Sequence, residues 1–278
     1  MAYNKELVVV RGGGDISTGT IQKIKRAGFK VVVLESEKPT SIRRHVCLSE
    51  AIYDGEATVE DIKAIKANNL SDIERILNEG NIAIAVDEKG EFINKLKPIA
   101  VIDAILAKKN LGTNRNMAPI TIGLGPGFEA GKDVDVVVET MRGHNLARLI
   151  FEGKPMDNTG VPGEIKGVSK DRVIYSENEG IIKNISKISD SVKKGEVIAK
   201  IGEKEVKATI DGVLRGLIRD GFYVKEGLKI ADIDPRASEK NNCFTISDKA
   251  RNVGGASLEA LLIMLNRKNP YQYDNKNN

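Results

Sequence analysis

Residues 7–10 form an unbroken apolar run that gives way to Gly12-Gly13-Gly14 and then to Ile21, Ile24 and Ala27 at helical spacing, closed by Gly28. An apolar run without polar alternation is the pattern of a strand covered on both faces, and the spacing that follows is that of a helix lying against it. A second β-branched run at 30–34 completes a strand, loop, helix, strand unit, the opening of a doubly wound fold. The pattern predicts further strands at 82–86, 99–102, 120–122 and 133–138. Between them it predicts helical segments at 71–77, with Ser71 as cap, and at 104–109, while residues 61–66 alternate apolar and charged side chains. The predicted fold class is α/β, with a Rossmann-like parallel sheet.

The rhythm changes at Thr159-Gly160-Val161-Pro162-Gly163, where glycine and proline cluster and the apolar runs shorten. Beyond this point the chain repeats itself. Gly180-Ile181-Ile182, Val192-Lys193 with Gly195, Ile198-Ala199 and Ile201 return as Gly212-Val213-Leu214, Val224-Lys225 with Gly227, Ile230-Ala231 and Ile233, always 32 residues on. Two copies of a short-strand unit, neither able to bury its apolar face alone, predict a pseudo-twofold all-β module. The region resembles the barrel-sandwich, or hammerhead, of biotinyl and lipoyl carrier domains. Its hairpin, Gly202-Glu203-Lys204-Glu205-Val206, lacks the small and methionine residues that flank a carrier lysine, so neither biotin nor lipoate is expected on Lys204. Leu258, Leu261, Leu262 and Leu265 predict a final amphipathic helix near 257–265 that packs back on the core. The expected organisation is a Rossmann-like α/β ligand-binding domain at 1–165, a duplicated β module at 166–236, and a C-terminal loop and helix at 237–278.

Composition narrows the function. The 278 residues are 41% hydrophobic and 29% charged, as in ordinary globular proteins. With 43 basic and 39 acidic residues the formal charge is +4, no Lys/Arg run exceeds two residues and Trp is absent, so nucleic acid is not an expected partner. No apolar stretch is long enough to span a bilayer and the chain opens directly on a strand, so no membrane partner and a cytoplasmic location are expected. Two distant cysteines, Cys47 and Cys243, make no disulfide framework, and no metal site is expected.

The first glycine turn is the leading candidate site. Arg11, Gly12, Gly13, Gly14, Asp15, Ser17 and Thr18 lie where a strand meets a helix N-terminus, a place where backbone amides and the helix dipole hold phosphate. Serine at 17 stands where a dinucleotide fingerprint has its third glycine, which leaves a plain tight turn open as well. Glu35, 21 positions after Gly14 at the end of the second strand, is placed to accept from a ribose hydroxyl. The polar connection beyond it carries Arg43 and Arg44, suited to clamping phosphate or to a solvated basic loop. It also carries Cys47, a reactive thiol with His45 nearby or else a buried apolar residue.

A second strand dissolves into Gly123-Leu124-Gly125-Pro126-Gly127, where Gly125, Pro126 and Gly127 could take another phosphate. The next strand ends in Glu139, Arg142, Gly143 and His144, a mixture from which acid/base and anion sites are built, with Glu139 and His144 as candidate catalytic groups; a surface pair of Glu139 with Arg142 is the alternative. Asp248-Lys249-Ala250-Arg251, with Gly254-Gly255, could contact an anion at a helix start or simply form a charged loop before a capped helix.

As a set, several motifs resemble the YqeB-type accessory proteins of selenium-dependent molybdenum hydroxylases, over nearly the whole chain. They are the first glycine turn, Ile42-Arg43-Arg44-His45-Val46, Ser49-Glu50-Ala51-Ile52-Tyr53-Asp54-Gly55, Gly123-Leu124-Gly125-Pro126-Gly127-Phe128, Val138-Glu139-Thr140-Met141-Arg142-Gly143-His144 and Asp232-Ile233-Asp234-Pro235-Arg236. The chain is also similar in role to XdhC-type molybdenum cofactor chaperones. The resemblance implies a maturation factor that binds the molybdenum cofactor, or another pterin or adenine nucleotide, at its two glycine-rich strand ends. The implied partner is the target molybdenum hydroxylase, and homo-oligomerisation stays open. Two other readings are an NAD(P)-binding oxidoreductase or selenium/sulfur transferase using Cys47, and a non-catalytic scaffold.

Overall fold

The computed structural model describes residues 4–160 and 167–268. The inferred boundary at 165 and the Val161-Pro162-Gly163 stretch lie outside the described residues. Strand β1 (Asn4–Arg11) leads through the glycine turn into α1 (Asp15–Arg26) and β2 (Lys30–Glu35). The chain continues through α2 (Ala51–Asp54), β3 (Glu56–Val59), β4 (Ile62–Ala67), α3 (Leu70–Asn78), β5 (Ile82–Val86), α4 (Glu91–Leu96) and β6 (Pro98–Asp103). Strands β7 (Ile120–Leu124), β8 (Val136–Val138) and β9 (Leu149–Ile150) complete a nine-stranded sheet of order β3-β4-β5-β2-β1-β6-β7-β8-β9. Its interior pairs are parallel; the edge pairs β3/β4 and β8/β9 are antiparallel.

The unbroken apolar runs follow from cover on both faces. Val8 and Val10 join the cluster under α1, while Leu7 and Val9 join the opposite cluster with Ile73, Ile76 and Ile93 of α3 and α4. The strand order reverses at β1, which has β2 on one side and β6 on the other, so the loops after β1 and β6 diverge and open a crevice at the C-terminal edge of the sheet.

Beyond the first unit, β10 (Val173–Tyr175), β11 (Gly180–Asn184), β12 (Ser191–Val192), β13 (Val197–Ile201), β14 (Lys204–Lys207), β15 (Gly212–Leu217), β16 (Tyr223–Val224) and β17 (Lys229–Asp234) form two four-stranded sheets. Their orders are β10-β17-β15-β12 and β14-β13-β11-β16, around a separate apolar cluster. The last helix, α5 (Asp248–Lys268), then returns to the first unit, placing Ala250, Val253, Ala260 and Leu261 in the cluster under β1. Among the described residues no helix is long and apolar enough to cross a membrane.

Four local expectations need correction. Helix α3 is capped by Asn69, whose side chain accepts from Asp72 N, rather than by Ser71. Residues 104–109 are not helical: Leu106 and Lys108 sit at φ of 61° and 63°, in a loop. The final helix begins nine residues before 257, at Asp248, and its buried side is built on Val253, Ala260, Leu261 and Met264, while Leu262 faces solvent. The Gly254-Gly255 pair is thus interior to α5 and not at its start.

The pair has a packing role. Helices α1 and α5 cross so closely that a Cβ on Gly19 would stand 2.3 Å from the Ala250 carbonyl oxygen, and one on Gly254 would stand 2.4 Å from that of Gly19. Gly255, one position on, meets nothing within 4 Å. The two neighbours should therefore respond oppositely to alanine in urea unfolding: Gly254→Ala loses about 2 kcal/mol by overpacking, and Gly255→Ala gains up to about 1 kcal/mol of helix propensity.

Candidate functional site

The crevice at the sheet edge is a cavity of about 400 Å³ lined by the first glycine turn, the end of β2 and the loop after β6. Arg11 lies beneath it, 2% exposed and fully engaged. Its guanidinium donates to Thr113 Oγ1 at 2.5 Å and to the Glu88 carbonyl at 2.7 Å, and Asp103 stands 3.6 Å away. Arg11 therefore pins the loop that roofs the cavity and has little left for a ligand. Ser17 and Thr18, both buried, turn their hydroxyls back to the carbonyls of Gly12 and Gly14.

The glycine turn is itself engaged. Gly13 N donates to Glu35 Oε2 at 2.7 Å, and Ser36 N donates to Glu35 Oε1 at 2.7 Å. Gly12 stands at φ 94° against the Ala104 carbonyl, so its glycine is required by close backbone approach. At the start of α1, Asp15 adds a carboxylate to the first turn, where its charge opposes that of a phosphate, and accepts from Arg43.

Next to this cavity, sharing Asp15, Ile16 and Ser41 with it, lies a larger cleft of about 1040 Å³ between the two units and the start of α5. Its wall carries eight basic side chains against four carboxylates. Some are paired: Arg43 with Asp15 at 2.8 Å, Arg142 with Asp248 at 3.3 Å, and Arg236 and Arg251 with Asp234 and Glu60, which stand behind the wall. Arg172, Arg215 and Lys229 group around Asp232, which lies 2.8 Å from Arg172 and 3.9 Å from Arg215.

Lys229 belongs to the same group. Burial first, then Arg172 and Arg215, hold its ammonium below the ordinary lysine pKa against the pull of Asp232. Burial, and after it Arg43, lowers the Arg215 pKa, and Lys249 is lowered by burial and then by Arg142. Arg43 is 5% exposed, and its Nε, like those of Arg172 and Arg215, has no hydrogen-bond partner. Buried guanidinium N–H groups without acceptors are costly, and an anion in the cleft would satisfy them.

Of the residues singled out in the sequence, Asp15, Arg43, Cys47, Arg142 and Lys249 line this cleft; Arg11, Gly12, Gly14, Ser17 and Glu35 line the smaller cavity. Arg44 instead joins the units, donating from Nε to the Leu217 carbonyl at 2.8 Å. Pro126 and Gly127 line a different cavity of about 400 Å³ that shares no wall residue with the other two, so the two glycine turns do not face one ligand. Gly125 and Gly127 are needed for close approach, to Thr140 and to the Lys109 backbone. Glu139 is buried and accepts from Met141 N and Met156 N, while Gly143 and His144 are exposed. The structure thus gives Glu139 a loop-bracing role and does not join it to His144.

Cys47 is fully buried and donates to the Arg43 carbonyl at 3.2 Å. Burial, and then the nearby Asp15 carboxylate, raise its thiol well above the usual range. Its neighbour His45 packs its ring, tilted, on Phe244 at 5.0 Å between centroids and is held below its ordinary pKa by burial and then Arg44. Among the described residues no cluster of three His, Cys, Asp or Glu side chains could hold a metal ion.

Sequence reasoning passed over Arg172, Arg215 and Lys229, whereas Lys249, in the segment read as a possible anion contact at a helix start, does line the cleft. The available sign was Asp232 and Asp234, two carboxylates inside the otherwise apolar strand β17, since a buried acid implies a buried base beside it.

Fold and site together define an α/β protein with an appended pair of small β-sheets and a cation-rich cleft where the two meet. Over 262 residues, 94% of this chain, it is 48% identical to the uncharacterized protein YqeB of Escherichia coli (strain K12); these residues are 48% of that relative, so the chain spans about half the length of the curated protein it matches. No family model matches. Among solved structures, the succinylglutamate desuccinylase/aspartoacylase of Rhodobacter sphaeroides is 12% identical, covering 84% of this chain and 87% of that one with a TM-score of 0.29. The product-bound ectoine utilization protein EutE (DoeB) of Ruegeria pomeroyi is 10% identical, covering 82% and 57% with a TM-score of 0.23. Likenesses at these scores carry no weight for fold or chemistry.

The buried thiol gives a direct check. Iodoacetamide at neutral pH should leave Cys47 unmodified in the native protein and label it fully in denaturant, as read by intact-mass spectrometry; native labelling of Cys47 would contradict its burial.

Proposed function

We infer that this chain is an accessory factor in the maturation of selenium-dependent molybdenum hydroxylases, and that it holds a phosphate-bearing pterin dinucleotide or nucleotide as cargo where its two units meet. The observation that carries the reading is the cluster of under-neutralised cations around Asp232. Arg215 and Lys229 share one carboxylate with Arg172, and Arg43 keeps an unpartnered Nε within the same wall. Such a site suits a multiply charged anion of nucleotide size. The 48% identity to YqeB supports the YqeB-type resemblance.

The roles differ from those expected at a dinucleotide turn. Arg43, Arg215, Lys229 and Lys249 supply positive charge to the cargo's phosphates, and Asp15 and Asp248 hold two of the arginines in place. The β-strands 173–234 read as the duplicated module inferred from the sequence: β11, β12 and β13 begin 32 residues before β15, β16 and β17, and each copy pairs with the other through β11/β16 and β12/β15. This module forms one wall of the cleft, and its outer face is available to dock the target hydroxylase. The buried, protonated Cys47 weighs against a thiol-based transferase.

Isothermal titration with molybdenum-cofactor dinucleotides, AMP, ATP, NAD and NADP tests the reading. Saturable heat is expected with at least one of them, with affinity falling at least ~10-fold on Arg215→Glu as a charge-assisted contact is lost. A molybdenum hydroxylase should also be retained on the immobilised chain. No saturable heat with any of the five would overturn it.

A further inference from the structure

The two adjoining cavities differ sharply in chemistry. The smaller one has a single basic residue in its wall, Arg11, which is buried and already bonded to Thr113 and Glu88. Around it stand Glu35, Ser36 and Thr40, with Ile105, Leu106 and Leu111 as an apolar roof. Such a wall accepts hydrogen bonds from hydroxyl or amino groups, covers a flat ring and repels phosphate. The larger cleft does the reverse, with unpartnered buried Nε atoms on Arg43 and Arg172 and the start of the 21-residue helix α5 at its edge.

Two groups oppose a phosphate at the usual position between them. Gly13 N is committed to Glu35, and the Asp15 carboxylate occupies the first turn of α1. A ligand lying across Ser41, which lines both cavities, would pass this point with its phosphates directed away from the glycine turn.

We propose that the two cavities form one composite site for a nucleoside diphosphate group, with the uncharged nucleoside in the smaller cavity and the diphosphate in the arginine cleft beyond Ser41, not on the glycine turn. The proposal rests on the reading that this chain binds a nucleotide-type cargo, and gives that cargo a direction. The Asp15 and Arg43 pair, 2.8 Å apart, sits at the junction, where the arriving phosphate competes with Asp15 for the same guanidinium. The nucleoside end is selected by hydrogen-bond acceptors and the roof, the phosphate end by charge.

Titration calorimetry of the full chain with pyrophosphate and with ADP, GDP, CDP and UDP separates the two ends. At least one nucleoside diphosphate should bind 10-fold or more tightly than pyrophosphate. Arg215→Glu should weaken both that nucleotide and pyrophosphate at least 10-fold, whereas Glu35→Ala should weaken the nucleotide and leave pyrophosphate within 2-fold. Lys229→Gln, at a half-buried position, repeats the first arm should Arg215→Glu fail to fold, and unfolding midpoints confirm that each variant is native. The proposal is overturned if no nucleoside diphosphate exceeds pyrophosphate, if the cleft variants leave both ligands unchanged, or if Glu35→Ala weakens pyrophosphate equally. A split pattern as stated, together with no retention of a molybdenum hydroxylase, would remove the maturation reading and keep the composite site. Hydroxylase retention with no split would do the opposite.

Discussion

Helices α1 and α5 touch backbone to backbone at Gly19 and Gly254, and the position of everything around the cleft depends on that contact. A side chain at either position would separate the helices and carry away the start of α5, which brings Asp248 and Lys249 opposite Arg142. The contact works because it is dry: Val253, Ala260 and Leu261 of α5 share one cluster with Val8, Val10 and Ile21. Apolar burial holds the helix down, and the absence of side chains at the crossing sets how far. A charged cleft is thus framed by uncharged packing.

Within that frame the electrostatics are deliberately incomplete. Arg219 spends its charge on Asp54 and Glu50, and Arg44 spends its own on a carbonyl of β15; these pairs join the units and are satisfied. The group around Asp232 is less so, because Asp232 is its close acid while Asp15 and Asp234 act only from farther off, in a partly desolvated setting where each charge interacts more strongly than in water. The contrast separates the cations that join the units from those lining the cleft. A formal charge of only +4 conceals this local concentration.

The parallel sheet could be read from the sequence because its strands are covered on both faces and so appear as unbroken runs, as at residues 7–10 and 30–34. The 32-residue period coincides with the spacing at which β11, β12 and β13 begin before β15, β16 and β17. The smaller cavity was partly visible too, since Glu35 and the glycine turn both line it. Residues 104–109 misled because a short apolar spacing cannot report that Leu106 and Lys108 adopt positive φ. The cleft itself was hidden: Arg43, Arg172, Arg215 and Lys249 are scattered over more than two hundred positions and carry no common motif. Only the fold assembles them, and only burial reveals that Arg215 lacks a close partner while Arg251 has one.

The return of α5 also sets an order of events during synthesis. The face of the sheet bearing Val8 and Val10 is finished by residues beyond 248, which leave the ribosome after the whole of the 173–234 segment. The small β-sheets have all their own strands by then and can condense on their own apolar cluster, while the larger sheet waits with one flank bare. Helix α5 therefore does two things at once, covering that flank and closing the third wall of the cleft. The cleft is complete only once residues from the start of α1 and the start of α5, more than two hundred positions apart, have met.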